Sequence, residues 1–213
     1  SSVMERHFLE AGYPQKKICV LNHGTDIYKP MRRDDGNVRF LFVGSADPFR
    51  KGIRLLLEAW DSLRLKDAEL LCLVSWEILA SKKLTQLIMK NQNIAVKSCV
   101  NRNEYFEELK NSDCQILPSL ADSFSLSIGE GMGFGKPAII SSETGIKDIL
   151  THGRDVYITD SGSIDQFKKA ILYFYNNREK MRNMGIAAYD TVKKRSWETF
   201  GEDLIKVTES LYK

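Results

Sequence analysis

Six short apolar runs recur along the chain, each bounded by polar or turn-forming residues. A strand buried on both faces of a parallel sheet needs apolar side chains in succession, so runs of this kind favour such strands. The runs are VRFLFV at 38–43, ELLCLV at 69–74, IAVK at 94–97, CQILP at 114–118, PAII at 137–140 and DVYI at 155–158. They predict a parallel sheet of about six strands.

The stretches between these runs carry apolar residues three and four positions apart, as one buried face of a helix requires. Alternation of strands and helices is typical of an α/β protein, and we expect a helix between each successive pair of strands. The predicted fold is a doubly wound parallel sheet with its ligand site at the carboxyl ends of the strands. The first three helical stretches are marked by Ile53, Leu56, Leu57 and Trp60, by Leu84, Leu87 and Ile88, and by Tyr105, Phe106 and Leu109.

Residues 1–36 lie outside this alternating pattern. They give a helical piece that ends near EAGYP, a predicted strand KICVL at 17–21, and the polar, turn-rich KPMRRDDGN at 29–37. We interpret 1–36 as the tail of a preceding domain with an interdomain linker, and 37–195 as the main domain. Helical patterns also occupy 164–184 and 197–211, and we expect 196–213 to form a helix that packs back toward the preceding domain.

Composition narrows the class of function. The 213 residues carry a net charge of only +3, and their densest basic cluster is KKR at 193–195, so neither nucleic acid nor an acidic membrane is an expected partner. No apolar run is as long as a membrane span, and no signal peptide is visible, which predicts a cytoplasmic protein. Four cysteines lack metal-ligand spacing and are expected to be reduced thiols: Cys19, Cys72, Cys99 and Cys114.

The stretch DSFSLSIGEGMGFGKPAII at 122–140 combines carboxylates with glycines at the predicted start of a helix. Asp122 lies in the loop after the fourth strand and Glu130 about a turn and a half into the helix, so both can face the crevice. Backbone amides at 124–126 have no intrahelical partner and form a candidate phosphate site, unless the hydroxyl of Ser123 or Ser125 caps the helix instead.

The remaining features of this stretch also suggest a ligand with phosphates and hydroxyls. Carboxylates accept hydrogen bonds from vicinal hydroxyls, which occur on ribose and on sugars. Glycines leave room for a ligand or for a neighbouring backbone, at about 1 kcal/mol of helix stability each. We expect Gly135 to be an ordinary glycine after the helix end. The others in this stretch are Gly129, Gly131 and Gly133.

The stretch 122–145 resembles the acidic, seven residues, acidic signature of retaining GT-B glycosyltransferases, most closely family 4 (glycosyl transferases group 1). VLNHGTD at 20–26, FVGSADPFRKGIRLLLEAW at 42–60 and SWETFGEDLIKVTESLY at 196–212 resemble further family segments in the same order. The resemblance implies a Rossmann-like nucleotide-sugar-binding domain, one half of a GT-B fold. It also implies an N-terminal acceptor domain that precedes this chain in the intact enzyme, and no transfer to an acceptor by this half alone.

The resemblance assigns a donor-binding role to each matched position. Glu130 would accept from the ribose hydroxyls, Asp122 would face the transferred sugar, and Lys51 would bind the diphosphate; we count all three as catalytic. The diphosphate would also lie on the loop and helix start formed by Ser123, Phe124, Ser125 and Leu126. Gly44 would let the first loop approach the donor, and the base would rest on 97–102, which includes Cys99 and Val100.

Two departures from the family pattern concern residues expected to bind the donor. Asp122 stands where the family usually has Glu, and Ser45 where it has a phosphate-binding Arg, which Arg50 of the longer loop could replace. We expect a structural role for His23, near the hinge. We expect the last helix, around Trp197, Phe200 and Leu204, to contact the preceding domain.

The implied reaction is retaining transfer from a nucleotide-diphosphate sugar, by front-face displacement and without a metal or other cofactor. Transfer to a carbohydrate or lipid-linked acceptor would serve cell-surface polysaccharide or glycolipid synthesis. The enzyme would work at the inner face of the membrane, through peripheral contact of the preceding domain. Two alternatives stay open: a catalytically inactive nucleotide-sugar-binding module, and another GT-B activity such as an epimerase or a phosphorylase.

Overall fold

A six-stranded parallel sheet forms the centre of the molecule, in a computed structural model that describes residues 1–33, 36–44, 47–98 and 100–210. The strand order is β3-β2-β1-β4-β5-β6, and every neighbouring pair is parallel. The doubly wound sheet predicted from the apolar runs is therefore confirmed. The strands are β1 (Val38–Gly44), β2 (Ala68–Val74), β3 (Ile94–Lys97), β4 (Cys114–Leu117), β5 (Ala138–Ser141) and β6 (Tyr157–Thr159).

Helices cover both faces of the sheet. Along β1, Phe40 and Phe42 pack with α2 and α6 on one face, while Leu41 packs with α4 on the other. Burial of each such side chain stabilises the fold by about 1.5–3 kcal/mol. The helices are α1 (Ser2–Glu10), α2 (Ile53–Leu63), α3 (Lys82–Lys90), α4 (Arg102–Lys110), α5 (Leu126–Gly133), α6 (Ile164–Asn176), α7 (Arg178–Val192) and α8 (Trp197–Ser210), with short 3-10 turns at Gln15–Lys17, Trp76–Ala80 and Gly145–Ile149.

Three expectations about these elements are wrong. The run at 17–21 forms no strand, because no strand of the described sheet lies beside it to supply hydrogen bonds. β5 and β6 are joined by the 3-10 turn Gly145–Ile149 instead of an α-helix. The helical pattern at 164–184 is divided between α6 and α7, because Asn177 leaves the helical region at φ −130° and ψ 67° and its side chain donates to Tyr173 O.

Residues 24–31, which we call the crossing segment, run along α5 and fix it to the rest of the domain. Thr25 N donates to Arg195 O at 2.9 Å and Tyr28 N donates to Gly133 O at 3.1 Å. The Tyr28 ring stacks on Phe134 with ring centroids 4.1 Å apart. The segment predicted as a linker is thus packed against the domain over its central part.

The glycines of α5 make room for these neighbours. A Cβ on Gly133 would lie 2.3 Å from Asp26 O, and one on Gly129 would lie 2.8 Å from Thr25 Oγ1. A Cβ on Gly131 would lie 2.0 Å from Gln115 Oε1. The close approach that these glycines permit is therefore to parts of the protein, among the described residues. Gly135, with φ +78°, directly follows the C-cap of α5, as expected.

The last helix is only lightly attached to the domain. None of the residues of α8 is buried, and Trp197 and Leu204 are 40% and 45% exposed. The ion pair of Arg195 with Asp203 and the contact of His23 with Phe200 hold it in place. Packing of α8 on a preceding domain stays a prediction. Within the described part of the chain, no helix has the length and apolar character needed to cross a membrane.

Candidate functional site

A cavity of about 640 Å³ lies at the carboxyl ends of the strands, as the doubly wound topology requires. Val43 at the end of β1, Val74 at the end of β2 and Lys97 at the end of β3 line one side of it. Residues 122–127 and Glu130, which follow β4, line the other side. Since β1 and β4 are neighbours with crossovers in opposite directions, the cavity opens at the switch point of the sheet.

The structure brings most of the predicted site residues to this cavity. The nine that line it are Arg50, Lys51, Val100, Asp122, Ser123, Phe124, Ser125, Leu126 and Glu130. Gly44 does not line it; a Cβ there would lie 2.4 Å from Cε1 of Phe42, so the close contact of this glycine is with its own strand. Ser45 and Cys99 lie outside the described residues, and their donor-binding roles stay predictions.

The loop that carries Asp122 is fixed by the chain segment after β5. Asp122 N donates to Glu143 O at 2.9 Å, and Gly145 N donates to Asp122 O at 2.9 Å. A third bond follows in the same direction, in which Ile146 N donates to Phe124 O at 2.8 Å. This backbone ladder holds the cavity wall in one position, and its partners after β5 are not visible as site residues in the sequence.

The Asp122 carboxylate is turned into the protein more than was expected. The residue is only 7% exposed, its Oδ1 accepts from Phe124 N at 3.2 Å, and its Oδ2 lies 3.8 Å from Lys51 Nζ. The Phe124 amide, which we expected to be available for a phosphate, is therefore engaged by Asp122. The side chain still lines the cavity beside Lys51.

The start of α5 presents backbone amides to the cavity. Ser125 adopts a left-handed conformation (φ 76°, ψ 76°), which costs a residue other than glycine about 1–3 kcal/mol and is common at functional sites. Across the described chain, no group accepts from the amides of Ser125, Leu126 and Ser127, and no hydroxyl of Ser123 or Ser125 caps the helix. The capping alternative is therefore not what the structure shows, and these amides remain able to bind an anion.

Two basic side chains adjoin these amides. The Lys51 side chain is mostly buried, with 17% exposed, and its Nζ lies 3.8 Å from Asp122 Oδ2 at the cavity wall. Arg50 donates to Ala121 O and its Nε pairs with Asp47 at 3.2 Å, so its guanidinium is partly used within its own loop. The positive charge at this end of the cavity comes most directly from Lys51.

Glu130 lies at the other end, in a cluster of polar groups. The Tyr105 hydroxyl donates to Oε2 at 2.6 Å, and Arg102 Nη2 lies 3.8 Å from Oε1. Burial raises the pKa of Glu130, while the hydrogen bond from Tyr105 and the charge of Arg102 oppose this rise and the carboxylate of Asp26 adds to it. Burial, followed by the charge of Glu130, raises the pKa of Tyr105, which keeps the phenol protonated and able to donate at neutral pH.

Sequence reasoning missed part of this cluster. Tyr105 was assigned to the apolar face of a helix, and Arg102 only ended the stretch expected to bind a base. A capping box formed by Asn101 and Glu104 starts α4. This motif is recognisable in the sequence and marks the start of α4. Because α4 follows β3, its first turn lies at the carboxyl-end side of the sheet. His23 also lines the cavity, where its ring lies 5.2 Å from that of Phe124.

Taken together, the cavity suits a ligand with an anionic group and hydroxyls. Free amides and Lys51 can bind the anion, and the ionised Glu130 can accept from hydroxyls. Over the described ranges, no three His, Cys, Asp or Glu side chains are grouped as a metal site would need. The expectation of a metal-independent site is a prediction that this arrangement does not test.

Comparison with known proteins gives a family match. The model of the family described as glycosyl transferases group 1 matches residues 25–191. An uncharacterized glycosyltransferase of Methanocaldococcus jannaschii is 26% identical over 207 residues, which cover 95% of this chain and 56% of that protein. The N-acetyl-alpha-D-glucosaminyl L-malate synthase of Bacillus anthracis is 30% identical over 107 residues, or 50% of this chain and 27% of that protein.

Solved structures show the same fold. HepE of Anabaena, crystallised with UDP-glucose, superposes with a TM-score of 0.84 at 17% identity, covering 99% of this chain and 62% of that one. This likeness confirms the predicted fold, a Rossmann-like half of a GT-B fold. The chain spans roughly half the length of the Methanocaldococcus relative, at 56%, and less of the Bacillus one.

Proposed function

Because the chain belongs to the glycosyl transferases group 1 family, we propose that it forms the donor-binding half of a retaining glycosyltransferase. Its cavity would bind a nucleotide-diphosphate sugar, and an N-terminal domain would bind a carbohydrate or lipid-linked acceptor. The proposed setting is cell-surface polysaccharide or glycolipid synthesis in the cytoplasm, at the inner face of the membrane. Assignment to family 4 is part of the proposal.

One observation carries the proposal: complementary groups for a diphosphate and for a ribose line a single cavity. Lys51 and the free amides of Ser125 and Leu126 lie toward one end, and Glu130 lies one helical turn farther along α5. Each hydrogen bond to a phosphate oxygen contributes about 1.5–3 kcal/mol. A donor laid along α5 would thus meet positive groups and then a carboxylate in succession.

The proposed chemistry is a front-face displacement. The bond from the anomeric carbon to the diphosphate breaks while a bond to the acceptor oxygen forms on the same face, and the acceptor proton passes to the departing phosphate oxygen. Lys51 and the amides stabilise the negative charge that grows on the diphosphate, in place of a divalent cation. Asp122 lies beside Lys51, where the transferred sugar would be held.

Calorimetric titration tests donor binding. UDP is the first probe because HepE was crystallised with UDP-glucose, and GDP, ADP and the corresponding sugars complete the panel. We expect one nucleoside diphosphate to bind, and Glu130→Ala to weaken its binding at least about tenfold, since a charged hydrogen-bond acceptor is lost. The matched control is Glu107→Ala, which removes an exposed carboxylate of α4 paired with Lys110. Absence of binding by the whole panel, or equal loss in both variants, would contradict the proposal.

One observation favours the alternative of a catalytically inactive binding module. Asp122 is shorter than the usual Glu, and its carboxylate is engaged by Phe124 N and Lys51. Sugar transfer by this chain joined to an acceptor domain of the family would support the enzyme; donor binding without turnover would support the inactive module. Conversion of the donor without any acceptor would instead indicate an epimerase, and phosphate-dependent cleavage would indicate a phosphorylase.

A further inference from the structure

We infer that α1 clamps the wall of the cavity, so that attachment of α1 to the domain and binding of a nucleoside diphosphate favour each other. This coupling rests on the proposed function and adds positioning residues that lie outside the cavity. Asp148, in the 3-10 turn Gly145–Ile149, is the one that holds α1 most directly. A preceding domain that contacts α1 would then change the affinity for the donor.

The Asp148 carboxylate binds the first residue of α1. Ser2 N donates to Asp148 Oδ2 at 2.5 Å, and Ser2 Oγ donates to Asp148 Oδ1. The amides of a first helical turn have no intrahelical partner, and a negative charge beside them interacts favourably with the helix dipole. Asp148 therefore fixes the position of α1 and also stabilises its start.

Ser1 connects the same end of α1 to the cavity wall. As the N-cap it accepts from Met4 N, and its hydroxyl donates to Ser123 O. Gly145 leaves room for this contact, because a Cβ there would lie 2.1 Å from Ser123 O and 2.4 Å from Ser1 Oγ. Ser123 lines the cavity two residues before Ser125, whose amide we propose as a ligand of the diphosphate. The start of α1 therefore lies directly behind the proposed phosphate site.

Arg6, one turn farther along α1, holds the other side of the backbone ladder. Its guanidinium donates to Glu143 Oε2, and the Glu143 side chain is only 17% exposed. Glu143 O in turn accepts from Asp122 N at 2.9 Å. α1 thus contacts both chain segments whose ladder fixes the cavity wall, 122–124 and 143–146.

The attachment of α1 is light, so a ligand can shift it. Within α1, all of which the structure describes, Val3 is the one buried residue, and Phe8 and Leu9 near its end are 43% and 39% exposed. An element with few buried contacts separates from a domain at a low cost in free energy. Since coupling between two binding events is reciprocal, a ligand that orders 123–126 favours attached α1 by the same factor as attached α1 favours the ligand.

Hydrogen exchange of the unmodified protein tests the coupling. Exchange of the amides at 5–10 in α1 is compared with and without a saturating concentration of the nucleoside diphosphate selected by the titration panel. We expect nucleotide to slow this exchange about fivefold or more, a factor ordinary for coupled sites. Exchange in α3, which does not line the cavity, should stay unchanged.

The outcomes separate this coupling from donor binding itself. Unchanged exchange in α1, or equal slowing in α1 and α3, overturns the coupling while calorimetry still shows that the nucleotide binds. Failure of every nucleoside diphosphate to bind overturns the proposed function, and the coupling with it.

Substitution of Asp148 distinguishes positioning from structural support. Asp148 is exposed, so Asp148→Ala should release α1 and leave the rest of the fold intact. Asp61→Ala is the matched control, because Asp61 also accepts two hydrogen bonds from a neighbouring part of the chain, away from the cavity. Its partners are Lys90 Nζ and Asn91 Nδ2, both at 3.0 Å.

Asp148→Ala should bind the nucleotide more weakly by up to the factor seen in hydrogen exchange, about fivefold, and should lose the nucleotide-dependent slowing in α1. Asp61→Ala should keep both the affinity and the slowing. Unchanged affinity in Asp148→Ala, although its α1 exchanges faster than that of the unmodified protein, overturns the positioning role of Asp148. An equal loss of affinity in Asp61→Ala overturns it as well.

Discussion

Single residues control the charge at the end of the cavity where we propose that the diphosphate binds. Lys51 Nζ lies 3.8 Å from Asp122 Oδ2, and the Asp122 Oδ1 is bound to Phe124 N. Lys51 therefore has two functions, since it balances a nearly buried carboxylate and supplies a positive charge to the cavity. Removal of its ammonium group affects both.

Substitution of Lys51 should weaken nucleotide binding through charge. We expect Lys51→Ala to bind the nucleoside diphosphate selected by the titration panel about tenfold to a hundredfold more weakly at low salt, because one bond to a charged phosphate is lost. The loss should be smaller at high salt, where screening already weakens the interaction in the unmodified protein. Calorimetry at two salt concentrations measures both effects.

Lys83→Ala is the control for this prediction. Lys83 is also paired with a carboxylate, that of Glu58 at 2.6 Å, but it lies on α3 and does not line the cavity. Its substitution should leave the affinity for the same nucleoside diphosphate unchanged. Equal effects of the two substitutions would show that Lys51 acts through general charge and not through contact with the diphosphate.

At the scale of elements, the fit between α5 and the crossing segment determines where Glu130 lies. Gly133 cannot carry a side chain, because its Cβ would meet the backbone oxygen of Asp26 at 2.3 Å. Backbone atoms cannot move aside as the end of a flexible side chain can. The crossing segment and α5 must therefore separate if this position is filled.

Gly133→Ala should destabilise the protein. Overpacking costs about 1–3 kcal/mol and outweighs the gain of about 1 kcal/mol in helix propensity. Gly201→Ala is the matched control, because Gly201 lies in α8 with nothing within 4 Å of an added Cβ. It should stabilise by about 0.5–1 kcal/mol. Urea denaturation measures both, and a stabilised Gly133→Ala would contradict the proposed packing.

Lys136, which lies between α5 and β5, joins the crossing segment to the end of α4. Its Nζ donates to Met31 O at 2.9 Å and to Lys110 O at 2.8 Å, at the end of α4. Burial lowers the pKa of Lys136 to about 8 from an ordinary value of 10.5. The folded protein therefore binds fewer protons at this residue than the unfolded chain between these two pH values.

The stability difference between the unmodified protein and Lys136→Met should depend on pH in a definite direction. Between about pH 8 and pH 10.5 the difference should shift in favour of the unmodified protein as pH rises. In this range the unfolded chain carries a proton on Lys136 that the folded protein lacks, and a rising pH makes that proton harder to hold. The expected change is on the order of 1–3 kcal/mol. Denaturation of both proteins at several pH values measures it, and a constant difference would contradict the lowered pKa.

At the scale of the whole molecule, the sheet was predictable from the sequence, while the segment before it and one of its connections were not. The strands follow from apolar runs, because a strand buried on both faces has little choice of residue. The run at 17–21 is similarly apolar, yet it forms no strand, since pairing depends on a neighbour that the local sequence does not reveal. Sequence also could not distinguish α-helix from 3-10 turn between β5 and β6.

The residues that line the cavity were predictable in part, as the elements of the fold were. Asp122 and Glu130, which line the cavity, were expected there because carboxylates next to a helix start have few structural explanations, and Lys51 was expected there because its position matches the family pattern. Tyr105 was missed because an aromatic residue at helical spacing fits an apolar face equally well. The glycines of α5 could be explained by either a ligand or a neighbouring backbone, and only the path of the crossing segment distinguishes the two.

The most direct test of the account is a crystal structure of this chain with the nucleoside diphosphate that it binds most tightly. We predict that the diphosphate lies against the amides of Ser125 and Leu126 and near Lys51 Nζ, with the ribose hydroxyls at the Glu130 carboxylate. A nucleotide found elsewhere on the molecule, or one whose ribose lies away from Glu130, would contradict the central claim that this cavity binds the donor.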